Sequence, residues 1–249
     1  MSRTIALACL IALAGCGAAG PMADPLAADG PTPDILLLGE QHDVGDHQAT
    51  HSKVVSTLAA RGALAAVVLE MAERGHSTAG LPAGAAEPEV RQALGWDERA
   101  WPWEPYRPAV MAAVKAGIPV LGGNLPRPQM REAMADAQLD AMLPGPALKA
   151  QQQAIRRGHC DLLPEAQIGP MTRVQIARDR TMAQTLGEAV VPGKTVLLLA
   201  GARHVDEQLG VPLHLPASLR IRSAPLPAQP SKKDYCAEFQ RRMKPRTGA

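Results

Sequence analysis

The sequence predicts an α/β fold: a parallel β-sheet flanked by helices in three layers, with a small helical subdomain inserted before the last main strands. Three observations carry this. Short apolar runs recur at residues 34–38, 65–69, 118–121 and 195–199. Runs without a polar alternation suit strands covered on both faces, as parallel strands are. Segments of helical period separate them, and strand–helix alternation calls for right-handed crossovers within one sheet. Hydrophobic residues make up 46% of the 249 residues but aromatics only 2%, so the core is built from Ala, Leu, Val and Met.

Taken in order, the first strand at 34–38 leads into a helix over 46–60, with Val54, Val55 and Leu58 inward and Arg61-Gly62 as its stop. The second strand, 65–69, ends at Glu70-Met71. Residues 72–105 read as irregular and hold Trp96, Trp101 and Trp103. A helix over 106–116 stops at Gly117, and the third strand, 118–121, closes on Gly122-Gly123-Asn124. Helical pieces are expected over 127–141, 147–157 and 170–190. The fourth strand, 195–199, is followed by a short helix near 205–209 and a last short strand at 219–221. The Pro-rich 224–230 and basic 240–249 read as surface-bound and partly disordered.

The N-terminus reads as an export signal. Arg3 supplies charge, and residues 5–14 are an apolar stretch too short to span a bilayer. It ends Leu13-Ala14-Gly15-Cys16, the order of a bacterial lipobox, in which the cysteine carries lipid and begins the mature chain; a plain secretory signal with a chance cysteine is the alternative. Gly17, in place of an aspartate, favours sorting to the outer membrane, where a lipid anchor tethers the chain without spanning. The expected organisation is thus a signal peptide at 1–15, a flexible tether at 16–33, a sheet domain from 34–124 and 192–223, a helical subdomain at 125–191 and a tail at 224–249. With Cys16 lipidated, Cys160 and Cys236 remain, an even pair in an oxidising compartment. A disulfide fastening the tail is expected, with two free thiols as the alternative.

Charge excludes one class of partner. Lys and Arg number 26 against 24 Asp and Glu, so no basic face for nucleic acid is implied. Motifs exclude others: there is no nucleophile elbow, P-loop, dinucleotide fingerprint or His-Glu-x-x-His helix. What the chain does carry is a polar group beyond each strand: Glu40 and His42, Glu70, Asn124, and His204. Ligands of open parallel sheets bind at these strand ends. Two of the ends repeat one construction, Gly39-Glu-Gln-His42 and Gly201-Ala-Arg-His204, where glycine permits a sharp turn and close approach. Paired His and Glu suit acid–base work, metal ligation or contact with a cofactor's rim; helix caps bonding loop carbonyls are the plainer alternative. His47 and His51, four apart on the first helix, share a face that either binds metal or lies at the surface. His76 and His214 read as incidental, and His159 stays open.

Gly39-Glu-Gln-His42-Asp43, Leu69-Glu70-Met71, Tyr106, Gly117-Ile-Pro-Val120 and Asn124-Leu-Pro-Arg127 resemble, in this order, the ChaN-like haem-binding lipoproteins. So do His159-Cys160, Gln175-x-x-Arg178-Asp179-x-x-Met182-Ala183 and Gly201-Ala-Arg-His204-Val205. The family groups with the Tiki, TraB and erythromycin-esterase proteins, which share two Gly-x-x-His motifs. The resemblance implies an outer-membrane lipoprotein facing the periplasm or surface that binds haem for iron uptake, with a homodimer enclosing two stacked haems. It implies a tyrosine on the haem iron, which maps to Tyr106 since Tyr235 lies in the tail. A plain packing role for Tyr106 beneath the tryptophans stands beside it. His42 and His204 would support the iron, Glu40, Glu70 and Asn124 would join the haem-binding set, and Arg127 or Arg203 would pair with propionates. Arg203 departs from the small residue expected there. The competing function is a hydrolase of peptides or esters, with Glu40 or Glu70 as base and His42 and His204 as acid–base partners or ligands of a divalent metal.

Overall fold

The computed structural model describes residues 25–26, 31–231 and 233–243. The signal peptide expected at 1–15 and the lipidation site Cys16 lie outside the described residues. Five strands, β1 (Ile35–Glu40), β2 (Leu64–Glu73), β3 (Val120–Asn124), β4 (Thr195–Gly201) and β5 (Ile221–Pro225), form one parallel sheet in the order β3-β2-β4-β1-β5. β1 and β4 are buried along their whole length, as their unbroken apolar character requires.

The pleat assigns alternate residues to opposite faces. Leu36, Leu38, Val67, Leu69, Leu197 and Leu199 pack on one face with helices α1 (Gly45–Ala60) and α3 (Trp103–Lys115). Ile35, Leu37, Ala66, Val68, Val196 and Leu198 pack on the other, with Met182, Ala183 and Leu186 of the long helix α6 (Glu165–Glu188). Each fully buried Leu or Ile contributes about 1.5–3 kcal/mol from leaving water. The first half of α6 serves a separate small core: Val174, Ile176 and Ala177 pack with Leu125, Ala133, Leu139 and Leu143 around α4 (Met130–Ala135), while α5 (Gly145–Gly158) lies alongside. One helix thus belongs both to the helical region and to the outer layer of the sheet.

Several expectations are corrected. The strands run further than their apolar runs, so Glu40, Glu70, Asn124 and Gly201 are strand residues rather than loop residues. A helix, α2 (Glu87–Ala93), lies inside the segment read as irregular, started by Glu89 accepting from the Ala86 N–H. α6 begins five residues before Pro170. No helix forms at 205–209; the chain turns back, with Gly210 tight against the His204 carbonyl and the Val211 N–H donating to it at 2.8 Å. The tail is not wholly irregular: α7 (Tyr235–Met243) ends the described chain, and Cys160 and Cys236 are disulfide-bonded. Among the described residues no helix is long and apolar enough to cross a membrane.

Leu186, fully buried where α6 closes the sheet, gives a direct measure of this packing. Leu186→Ala is expected to cost about 2–5 kcal/mol in chemical denaturation with an unchanged denaturant slope. A loss below about 1 kcal/mol would mean that this half of α6 does not complete the core.

Candidate functional site

β1 and β4 are neighbours whose onward connections run in opposite directions, β1 toward β2 and β4 toward β5. Their C-terminal ends are therefore the switch point at which α/β sheets open a crevice. Both Gly-x-x-His motifs end there, in register: Gly39 is opposite Ala200 and Glu40 opposite Gly201. The glycines are demanded by each other's motif. A Cβ on Gly39 would lie 2.4 Å from a Val205 methyl and 2.9 Å from the Ala202 Cα. A Cβ on Gly201 would lie 2.8 Å from His42 Nε2. The imidazole of the first motif occupies the space the second glycine leaves empty.

Pleating separates the two carboxylates. Glu40 follows Leu36 and Leu38 onto the face of α1 and α3, and there it gathers four neighbours. Tyr106 of α3 donates its hydroxyl to Oε1 at 2.6 Å, and Gln48 of α1 donates to Oε2 at 2.7 Å. His42 Nδ1 is 2.6 Å from Oε1 and His51 Nδ1 3.4 Å from Oε2. Glu70 follows Ala66 and Val68 onto the face of α6. Its Oε1 accepts from Arg178 at 2.5 Å and lies 3.3 Å from His204 Nε2. Its Oε2 accepts the Gly201 N–H at 2.7 Å. His204 Nδ1 in turn meets Asp179 Oδ1 at 2.5 Å. His42 joins the two halves over the sheet edge, with Nδ1 on Glu40 and Nε2 3.8 Å from Glu70.

The groups sort by charge. Burial opposes ionisation of Glu70, yet the charge and hydrogen bond of His204, with Arg178 and His42, hold its carboxyl well below the usual range. Burial opposes a charged His204, yet Glu70 and Asp179 push it up to about 9. Burial likewise opposes charge on His42, and the Glu40 hydrogen bond with the Glu70 and Glu40 charges raises it nevertheless. For Glu40, burial is outweighed by the His42 hydrogen bond and the facing imidazoles, and its pKa falls. Burial dominates at Asp179, whose pKa rises, and at His51, which falls to about 4 and stays neutral. Glu40 and Glu70, both shifted toward the anion, thus face His42, His204 and Arg178, with Asp179 behind His204. His42 reaches furthest into solvent, its side chain 39% exposed against 21% for Arg178 and 5% or less for His204, Glu40, Glu70 and Asp179. Its ring meets the edge of Trp101 at 4.8 Å.

The predicted residues fare unequally. Glu40, His42, Glu70 and His204 come together, and Asn124 joins them by donating to the Glu70 carbonyl and accepting from Arg178 Nε at 2.9 Å. Tyr106 comes to the site as a buried residue: it is 3% exposed, its hydroxyl donates to Glu40, and burial with the Glu40 charge drives its pKa far up. Arg203 turns away to the Ala154 carbonyl and Gly158 of α5. Arg127 is outside the cluster, exposed and paired with Asp97 at 2.9 Å, though it lines the neighbouring crevice. His47 and His51 are buried, which corrects their surface reading: His47 Nδ1 accepts the Gln41 N–H at 2.9 Å, and His51 backs Glu40.

Sequence reasoning left out Gln48 and quoted Gln175, Arg178 and Asp179 in the family motif without giving them a place in the site. The signal was available in α6: Gln175, Arg178, Asp179 and Met182 follow i, i+3, i+4, i+7 and so share one face. Beside the cluster opens a crevice of 460 Å³ lined by Met71, Trp101, Met130, Asn124, Arg127 and Arg178, among others. A hollow of 670 Å³ lies between α4 and α6, and one of 650 Å³ lies between α6 and the residues 74–77 that follow β2. Tyr235 of α7 hydrogen-bonds the carboxylate of Asp43, next in sequence to His42, and is 48% exposed.

This geometry defines a class: a parallel α/β domain with reciprocal Gly-x-x-His motifs and a charge-balanced imidazole–carboxylate cluster at its switch point. The model of the family described as haem-binding uptake, Tiki superfamily, ChaN matches residues 26–215, and the chain belongs to that family. A solved structure described as cofacial heme binding to ChaN of Campylobacter jejuni is similar, with 24% identity, a TM-score of 0.62, and coverage of 78% of this chain and 81% of that one. At that identity the likeness shows the fold. No curated protein matches the chain.

His204 gives the site a pH signature. Its folded pKa of about 9 stands above the unfolded value near 6.5, so the folded state holds the extra proton between them. The stability it contributes is complete below about pH 6.5 and is lost as pH rises through 9. His204→Gln is expected to flatten the fall in denaturation midpoint between those limits; an unaltered slope would place the proton elsewhere.

Proposed function

We propose that the chain is a lipid-anchored haem-binding protein of the bacterial envelope that serves haem and iron uptake. Family membership carries the reading, and Leu13-Ala14-Gly15-Cys16 supports the anchor, on the outer membrane. The residues fit an amphipathic, planar dicarboxylate. The crevice beside His42 offers Met71, Trp101 and Met130 as apolar walls and Arg127 as a cation for a carboxylate, and 460 Å³ falls within the usual range for small-molecule sites. When bound, haem supplies an iron open to an axial ligand, and a phenolate oxygen suits its ferric form.

With Tyr106 committed to Glu40, the iron ligand is assigned to the chain's second tyrosine, Tyr235. It is exposed, and it lies beside Asp43, next in sequence to His42. Burial and the Asp43 hydrogen bond raise the Tyr235 pKa, so iron must displace the phenol proton and binding is expected to tighten as pH rises. His159 flanks the other end of the same disulfide. Its Nδ1 donates to the Ile155 carbonyl at 2.8 Å, which leaves Nε2 as a lone-pair donor. A homodimer, in which a partner's histidine completes such a site, belongs to the same proposal.

The divalent-metal version of a hydrolase does not fit these residues. Both nitrogens of His42 and of His204 face carboxylates that favour the protonated rings, and among the described residues no group of three or more His, Cys, Asp or Glu could hold a metal ion.

Hemin titration of soluble protein lacking Cys16 tests the assignment. Saturable Soret change is expected for the parent and for Tyr106→Phe. Tyr235→Phe should weaken binding at least tenfold, about 1.4 kcal/mol. No saturable change in the parent would sink the function; unchanged affinity in Tyr235→Phe would sink the ligand.

A further inference from the structure

α7 is held in an unusual way. None of its nine residues is buried, and a helix of that length is marginal in water on its own. The last tertiary hydrogen bond before it is from the Gln229 N–H to the Gln41 side chain at 3.2 Å. Beyond that point the helix is joined to the domain by the Cys160–Cys236 disulfide, by Phe239 against the His159 ring at 5.6 Å, and by Tyr235 on Asp43. The disulfide is the one covalent tie, and it is open to solvent: Cys236 is exposed and Cys160 half-buried. Its anchor is a turn at the end of α5 where Cys160 and Asp161 both hold left-handed backbone, with φ of 58° and 55°. Non-glycine residues seldom adopt that conformation, so the turn relaxes readily once the tie is cut.

We infer that the disulfide is a thiol-sensitive clasp: its reduction frees α7, and with it Tyr235, so that bound ligand is released. The ligand half of this inference rests on the proposed haem function; the clasp half does not. The step balances with a dithiol as reductant. Its thiolate attacks one sulfur, the Cys160–Cys236 bond breaks, two protein thiols form, and the dithiol leaves as its own disulfide. Two electrons and two protons pass to the protein. The exposed position of Cys236 gives an incoming dithiol access, and with no fully buried side chain on α7 the ties named above that remain afterwards are the Phe239–His159 ring contact and Tyr235 on Asp43.

Limited trypsin digestion of the mature chain, oxidised and after treatment with a dithiol, reads the clasp without any ligand. Lys233, Arg241 and Arg242 are exposed points of attack in and beside α7. Cleavage there should accelerate at least tenfold on reduction while the segment from Ile35 to Pro225 stays intact. Cys160→Ser with Cys236→Ser should match the reduced protein without reductant. Equal cleavage rates in oxidised, reduced and doubly substituted protein would overturn the clasp. Hemin dissociation is then followed on the oxidised parent and the double-serine variant, which avoids chemical reduction of the iron. At least tenfold faster loss from the variant is expected, and equal loss would overturn the coupling. Failure of the oxidised parent to bind hemin at all would defeat the proposed function and the coupling, leaving the trypsin result to judge the clasp.

Discussion

The site depends on one steric exchange at the centre of the sheet. Gly39 leaves room for Val205 and Ala202, and Gly201 leaves room for the His42 ring. Neither motif reaches its geometry without the other's missing Cβ. The exchange lets two adjacent buried strands end in polar groups without pushing apart. It also sets His42 across the sheet edge, where it touches carboxylates that the pleat sends to opposite faces.

Charge balance explains why so many ionisable groups tolerate burial. An isolated buried carboxylate would protonate rather than stay charged. Here each anion is matched: Glu70 by His204 and Arg178, Glu40 by His42 with Tyr106 and Gln48 donating. The result is a stiff floor whose donors are spent on one another. Such a floor supports what lies above it but offers little free coordination. That is why the metal-site reading loses ground, and why Tyr106, legible in sequence only as a well-placed phenol, belongs to the floor.

The groups nearer solvent lie around this floor: His42 at its opening, Trp101 and the methionines in the crevice, Arg127 beside it, and Tyr235 on a helix held by a disulfide. The contrast in anchoring is physical. Buried strands and α6 hold the floor with many dispersion contacts and hydrogen bonds, whereas α7 has no fully buried residue. A rigid base with a lightly held rim allows ligand capture without loosening the fold.

Much of this was legible in the sequence. Apolar runs without alternation specify buried parallel strands, and the helical period between them specifies the layers, because burial on two faces leaves no other economical pattern. The Gly-x-x-His pairs and the carboxylates at the strand ends were visible for the same reason. Their chemistry is local to a strand terminus, and topology brings strand termini together. Cys160 and Cys236 paired as their even count suggested. Other features were decided only by the tertiary structure. Whether Tyr106 or Tyr235 is exposed, whether Arg203 points in or out, and whether His51 lies at the surface all depend on which helix covers which face. Asp179 and Arg178 join the site because α6 crosses β2 at that height. A sequence pattern records the period of a helix but not the rotation and depth at which it docks; those follow from packing against residues far away in the chain.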